Sequence, residues 1–208
     1  MEELLQLAGT ALAAYLIGSF PTAYLLVRGK SGKDLRSEGS GNIGTLNAFE
    51  VTRSRRVGIA VLLIDLLKGA LPVAIVHLTG GGFLLGSAAL LGVVLGHNYS
   101  PWIGWKGGRG LAPAAGASCA LNPLILAIWG LFWLAAYFRS RDVHFGNLAA
   151  TVLMPFLILL LPELISQGNF LEASSVYHVV VLGFVLATIV FLKHIQPLRE
   201  LIARRSNS

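Results

Sequence analysis

The chain has 208 residues, 55% of them hydrophobic and 12% charged, with mean hydropathy +0.71. Its apolar residues fall in runs as long as a bilayer is thick, which excludes a soluble core and leaves no room for a separate soluble domain. The net charge of +6 would suggest nucleic acid in a soluble protein. Here every Lys and Arg except Lys68 lies in residues 28–56, 97–110, 139–142 or 193–208, between the apolar runs. Positive-inside anchoring accounts for that pattern, and no nucleic-acid partner is implied.

The expected architecture is a single all-α integral membrane domain over residues 1–208. The first span is predicted over 4–27, and the acidic start Met1-Glu2-Glu3 reads as a retained span, not a signal peptide. Residues 28–56 form the longest loop. Spans follow over 57–78 and 83–97, then an apolar stretch over 111–138, then spans over 146–162 and 176–192. As a single helix, 111–138 would be about 42 Å long, beyond the hydrocarbon core, and would put Arg139 and Arg141 opposite Lys106 and Arg109. A break at Asn122-Pro123 resolves both conflicts and raises the count to seven crossings. Glu2, Glu3, Glu163 and Glu172 then share the outer side, with the N-terminus outside and the C-terminus cytoplasmic. The tail from Lys193 to Arg205 reads as a basic amphipathic segment suited to an anionic leaflet.

Two glycine-rich stretches interrupt the polar loops. Gly39-Ser40-Gly41-Asn42-Ile43-Gly44 fits G-x-G-x-x-G, but polar residues precede it where a dinucleotide fold needs a buried strand, so that reading fails. With Thr45 and Asn47, the stretch offers backbone N–H, hydroxyl and amide donors suited to a phosphate; an ordinary flexible loop is the alternative. Lys106-Gly107-Gly108-Arg109-Gly110 precedes a short helix, where two cations and a helix N-terminus suit an anion and simple interfacial anchoring competes. Asp65 and Lys68, one turn apart in the second span, form either a structural ion pair or part of a site. His97 and His194 end spans on the same side and are either titratable site residues or interfacial anchors. His144 and Asn147 share a helix face, as site residues or as cap and packing residues. The scattered histidines show no metal-ligand spacing, and no nucleophile elbow appears.

These segments, with Asp65-Leu66-Leu67-Lys68-Gly69 and Gly96-His97-Asn98-Tyr99-Ser100-Pro101, occur in an order and spacing that resembles the bacterial acyl-phosphate:glycerol-3-phosphate acyltransferase family of the PlsY type. The resemblance covers nearly the whole chain. It implies a seven-span inner-membrane enzyme of phospholipid synthesis with its active site at the cytoplasmic face. That enzyme moves a fatty acyl group from acyl phosphate to the 1-hydroxyl of sn-glycerol 3-phosphate, without metal or nucleotide cofactor. On this reading Ser40 and the 39–47 loop hold the acyl-phosphate head group and Lys106 and Arg109 hold the glycerol phosphate. His194 and His97 orient the reacting groups, and an apolar groove houses the tail.

The chain departs from the family pattern at several positions. Glu50 stands where a phosphate-binding arginine is usual, with Arg53 one turn further as a candidate replacement. Arg109 replaces a lysine, His144-Phe145-Gly146-Asn147 replaces a serine-rich motif, and His194-Ile195-Gln196-Pro197 replaces a His-x-x-Asn pattern. A relative that binds lipid phosphates without turnover, or uses another acceptor, is the second reading. A small transporter is the third, disfavoured because the polar residues gather at one face.

Overall fold

The computed structural model describes residues 1–206, with side chains placed as far as Ala203; Arg204 and Arg205 of the basic tail lie outside the described side chains. The described residues form helices and no strand. In chain order the α-helices are α1 (Glu2–Ser19), α2 (Thr22–Ser31), α3 (Thr45–Thr52), α4 (Arg55–Leu78), α5 (Phe83–Asn98), α6 (Leu111–Leu121), α7 (Pro123–Ser140), α8 (Val143–Leu160), α9 (Pro162–Ser166), α10 (Tyr177–Leu192) and α11 (Ile195–Ser206), with a short 3-10 turn at Pro101–Ile103 between α5 and α6.

This is an integral membrane protein. Glu2–Ser31, Arg55–Leu78, Pro123–Ser140 and Val143–Leu160 are long and apolar enough to cross a bilayer, and α10 with α11, bent by 58°, forms a fifth candidate. The apolar helices Phe83–Asn98 and Leu111–Leu121 are shorter. Side chains such as Leu67, Leu78 and Leu160 point outward, as a lipid-facing surface requires.

The break expected at Asn122-Pro123 is present. Proline at the first position of α7 lacks the N–H that would continue α6. Asn122 caps α7 by accepting from the Leu124 N–H at 2.9 Å, and its amide donates to the Ile165 carbonyl at 2.8 Å. A second break, at Phe20-Pro21, divides the first apolar run into α1 and α2. The carbonyl it frees on Phe20 accepts from Lys68 Nζ at 3.0 Å, a charged donor reaching across from α4.

Backbones meet closely where side chains are absent. A Cβ on Gly18, Gly92 or Gly96 would overlap carbonyl oxygens of the facing helix, so α1 and α5 lie side by side at van der Waals distance. One apolar core runs through Val73, Leu90, Leu121, Met154 and Leu186. A second, built on Val27, Leu35, Ile43, Val61 and Ile103, sits beneath the 32–44 loop and holds it down.

Candidate active site

The first glycine-rich segment owes its shape to one amide. Asn47, almost fully buried on α3, accepts from the Ser40 N–H and donates to the carbonyls of Glu38 and Asn42, each at 3.0 Å. Gly39 and Gly41 take left-handed backbone conformations at φ +58° and +70°, which a side chain would strain. The loop ends sooner than the sequence suggests. Gly44 is the N-cap of α3, so Thr45 and Asn47 are helical.

The second segment folds back onto α5. The Gly108 N–H donates to the His97 carbonyl at 3.1 Å, and Cβ atoms on Gly107 and Gly108 would overlap the His97 carbonyl and ring. Those two glycines therefore let the loop lie on His97. Gly110, at φ +81°, turns the chain into α6. Half-buried Arg109 is left pointing inward, with Nη1 3.3 Å from His144 Nδ1. Burial pushes its guanidinium pKa down, against the Glu200 carboxylate, which raises it.

A cavity of about 310 Å³ opens between these loops. Asn42, Gly44 and Thr45 line one wall, Arg109, Gly110 and Leu111 another, and His144 and Asn147 a third; Asp65 and His97 close the polar end, while Leu62, Leu66 and Ala115 add apolar surface. Asn147 is oriented by the Trp133 ring N–H, which donates to its Oδ1 at 2.8 Å. The Asp142 carboxylate caps α8 by accepting from the His144 and Phe145 N–H groups at 2.7 and 3.0 Å, which fixes where His144 stands.

Lys68 occupies a separate place. Its Nζ lies 2.8 Å from Asp65 Oδ1 and bonds the Phe20 carbonyl. With His97 and Gly107 it lines a small cavity of about 10 Å³ on the other side of Asp65. Asp65 and His97 thus face both spaces.

His194 is 1% exposed and its Nδ1 lies 2.8 Å from the Val190 carbonyl. With Nδ1–H donating there, Nε2 carries the lone pair, and that atom is buried without a partner. Burial holds its pKa down to about 4, against the Val190 bond, and the charges of Arg109 and His144 push the same way. The ring is therefore a neutral acceptor at pH 7.

Of the residues singled out from the sequence, Asn42, Gly44, Thr45, His97, Arg109, His144 and Asn147 come together on one cavity. Gly39, Gly41, Asn47, Gly107 and Gly108 shape its loops. Ser40 and Lys106 are exposed and stand outside the wall. Glu50 and Arg53 are exposed as well, so the charge reversal in the first motif puts no carboxylate into the cavity. Asp65 joins the wall, and its one-turn spacing from Lys68 was the available signal; Leu62, Leu66 and Ala115 carry none beyond apolarity.

A family described as glycerol-3-phosphate acyltransferase matches residues 8–204. The glycerol-3-phosphate acyltransferase 2 of Moorella thermoacetica is 43% identical over 148 residues, covering 71% of this chain and 75% of that protein. The Geobacter sulfurreducens glycerol-3-phosphate acyltransferase is 36% identical over 90% of both chains. The fold matches the crystal structure of PlsY, an integral membrane glycerol 3-phosphate acyltransferase, in its glycerol 3-phosphate form, with TM-score 0.78, 27% identity and coverage of 96% of this chain and 93% of that one. The lysophosphatidic acid form of PlsY matches at TM-score 0.75 and 25% identity, with the same coverage. This chain belongs to the glycerol-3-phosphate acyltransferase family.

Proposed function

We propose that the large cavity transfers a fatty acyl group from acyl phosphate to the 1-hydroxyl of glycerol 3-phosphate, releasing lysophosphatidic acid and phosphate. The observation that carries this reading is that the N-termini of α3 and α6 open on one cavity beside Arg109. Helix N-termini and a guanidinium bind anions, and the reaction brings two phosphates to one place. Asn42, Gly44 and Thr45 are assigned to the acyl-phosphate head group, and Arg109, with His144 and Asn147, to the glycerol phosphate. Ser40 and Lys106, exposed two and three residues along the chain from the wall, are assigned capture of the incoming anions.

The acyl phosphate is already activated, so positioning and charge stabilisation supply most of what the protein must add. The 1-hydroxyl oxygen attacks the acyl carbonyl carbon, the carbon–oxygen bond to phosphate breaks, and the departing phosphate takes the hydroxyl proton. No side chain has to act as a strong base. His97, on the cavity wall, polarises and orients the reacting groups; His194 is not among the lining residues and, buried within reach of the charges of Arg109 and His144, is assigned the positioning of those two side chains.

The cavity is placed at the cytoplasmic face of the inner membrane, in a chain of seven crossings with its N-terminus outside. The charge distribution supports this, since every Lys and Arg but Lys68 lies in segments that a seven-crossing chain puts on one side. Phosphate release from palmitoyl phosphate by the purified protein, with and without glycerol 3-phosphate, tests the reading. Acceptor-dependent release lost in Arg109→Ala, with a smaller fall in Ser40→Ala, is expected. A folded protein that binds the donor but releases no phosphate would instead be a non-catalytic lipid-phosphate binder.

A further inference from the structure

An apolar chamber adjoins the polar cavity. It lies among α6, α7, α8 and α10, and Leu111 and Ala115 line both spaces. Ile125 and Met154, both almost fully buried, line it further in. A hydrocarbon attached to a phosphate in the polar cavity has this chamber as its apolar continuation.

The chamber is short of room. Its volume is about 50 Å³, space for about four water-sized groups, so a long tail has to continue elsewhere. Two of its wall residues, Thr151 on α8 and Ala187 on α10, also line a second apolar groove of about 240 Å³ with Pro155, Phe156, Phe184 and Phe191. Phe156 is 51% exposed, so this groove is open on the outer, lipid-facing surface of the bundle. On the α7 side Trp129 lines the chamber. That ring is stacked on Trp133 with centroids 6.5 Å apart, and its N–H donates to the Thr151 hydroxyl at 3.2 Å. The bond satisfies the Thr151 oxygen and steadies it, and the other residue that lines both spaces, Ala187, is small.

We propose that the donor's acyl tail passes from the chamber to the lipid-facing groove between Thr151 and Ala187, and that the small side chain at Ala187 is what admits long tails. Short tails end inside the chamber; long ones finish among the lipid chains, where their far methylenes stay in hydrocarbon throughout the reaction. This rests on the acyl-transfer reading above. Selectivity at the portal acts on the tail and not on the head group, so its signature is a change in the ratio between donors and not a loss common to all.

The test compares kcat/KM for palmitoyl phosphate and butanoyl phosphate, with glycerol 3-phosphate as acceptor, in the full chain reconstituted in lipid. Ala187→Phe is expected to lower the palmitoyl-to-butanoyl ratio at least tenfold, and Thr151→Ile, filling the gap from the opposite wall, to lower it in the same direction. If Ala187→Phe fails to fold, Ala187→Leu is read by the same ratio. An unchanged ratio in folded variants overturns the portal. Failure of the unsubstituted protein to use either donor tells against acyl transfer itself, and labelling then decides the tail's path without turnover. An alkyl phosphonate with a terminal photoreactive group is expected to mark Phe156, Phe184 or Phe191, and adducts confined to other surfaces overturn the proposal.

Discussion

The two ends of the bundle carry polar cavities of similar size and opposite chemistry. At one end about 310 Å³ lies between two glycine-rich loops, with Arg109 and the N-termini of α3 and α6 in its wall. At the other, about 230 Å³ is lined by Glu3, Gln6, Glu172, Ser174 and His178, near the N-termini of α1, α5 and α10. Helix N-termini are thus common to both. Glu2 and Glu3 stand in the first turn of α1, where carboxylates already complement the helix dipole, and the Glu172 carbonyl accepts from the first N–H of α5 at 2.9 Å. The other end leaves its N-termini open beside an added cation. On the proposed assignment, a helix end is free to take a phosphate only where the protein has not supplied the anion itself.

Substitutions at the two ends sharpen that contrast, and the largest effect is expected at Arg109. Arg109→Ala should lower acceptor-dependent phosphate release by about a thousandfold, the scale of losing one preorganised charge-stabilising donor; retention of more than a third of the rate would break the comparison. Next in size is the buried pair beside the cavity. Lys68→Met alone strands the Asp65 carboxylate and should cost about 3 kcal/mol in unfolding measurements in detergent, while pairing it with Asp65→Leu should recover most of the loss. If the double variant is no more stable than the single, Lys68 serves the Phe20 carbonyl and not the carboxylate.

A smaller effect is expected from His194 as the pH falls. With the His194 pKa held at about 4, against an ordinary 6.5, the unfolded chain binds the proton more readily between those values. Its contribution to stability is whole above pH 6.5 and falls away as the pH drops toward 4. His194→Phe should flatten that limb of a stability profile, and an unaltered limb would show that another group governs it. Smallest of all, Glu172→Gln at the opposite end should change stability by no more than about 0.5 kcal/mol and leave acyl transfer within twofold of the parent rate. A tenfold loss there would mean that the two ends are coupled.

Much of this architecture is legible in the amino-acid sequence. The break at Asn122-Pro123 followed from a length conflict and a charge conflict that one proline resolved together. Pro21 was equally visible, but the apolar run passes over it, and the non-helical backbone at Phe20 and Pro21 shows that the chain breaks there. α3 was missed for a different reason. Its eight residues carry little periodicity, and it begins within a segment whose glycines and polar residues argue for a loop. At the candidate site, the residue types and spacing pointed to two loops that the structure brings to one cavity, whereas side-chain direction was not legible. Ser40 and Lys106 have suitable chemistry and turn outward, while Asn47, an apparent ligand donor, spends its amide holding the loop. Direction depends on chain reversals at Gly41 and Gly110, which no local pattern encodes.

The close seam between α1 and α5 bears on how the chain is made. Helix α1 leaves the ribosome before α5, and the backbone it packs against, from Gly92 to Gly96, is translated only after the whole of α4. At ordinary elongation rates that interval lasts several seconds. During it α1 waits at the translocon or in the bilayer without its partner, so a nascent chain stalled after α4 would expose an unmatched seam for membrane quality control to find.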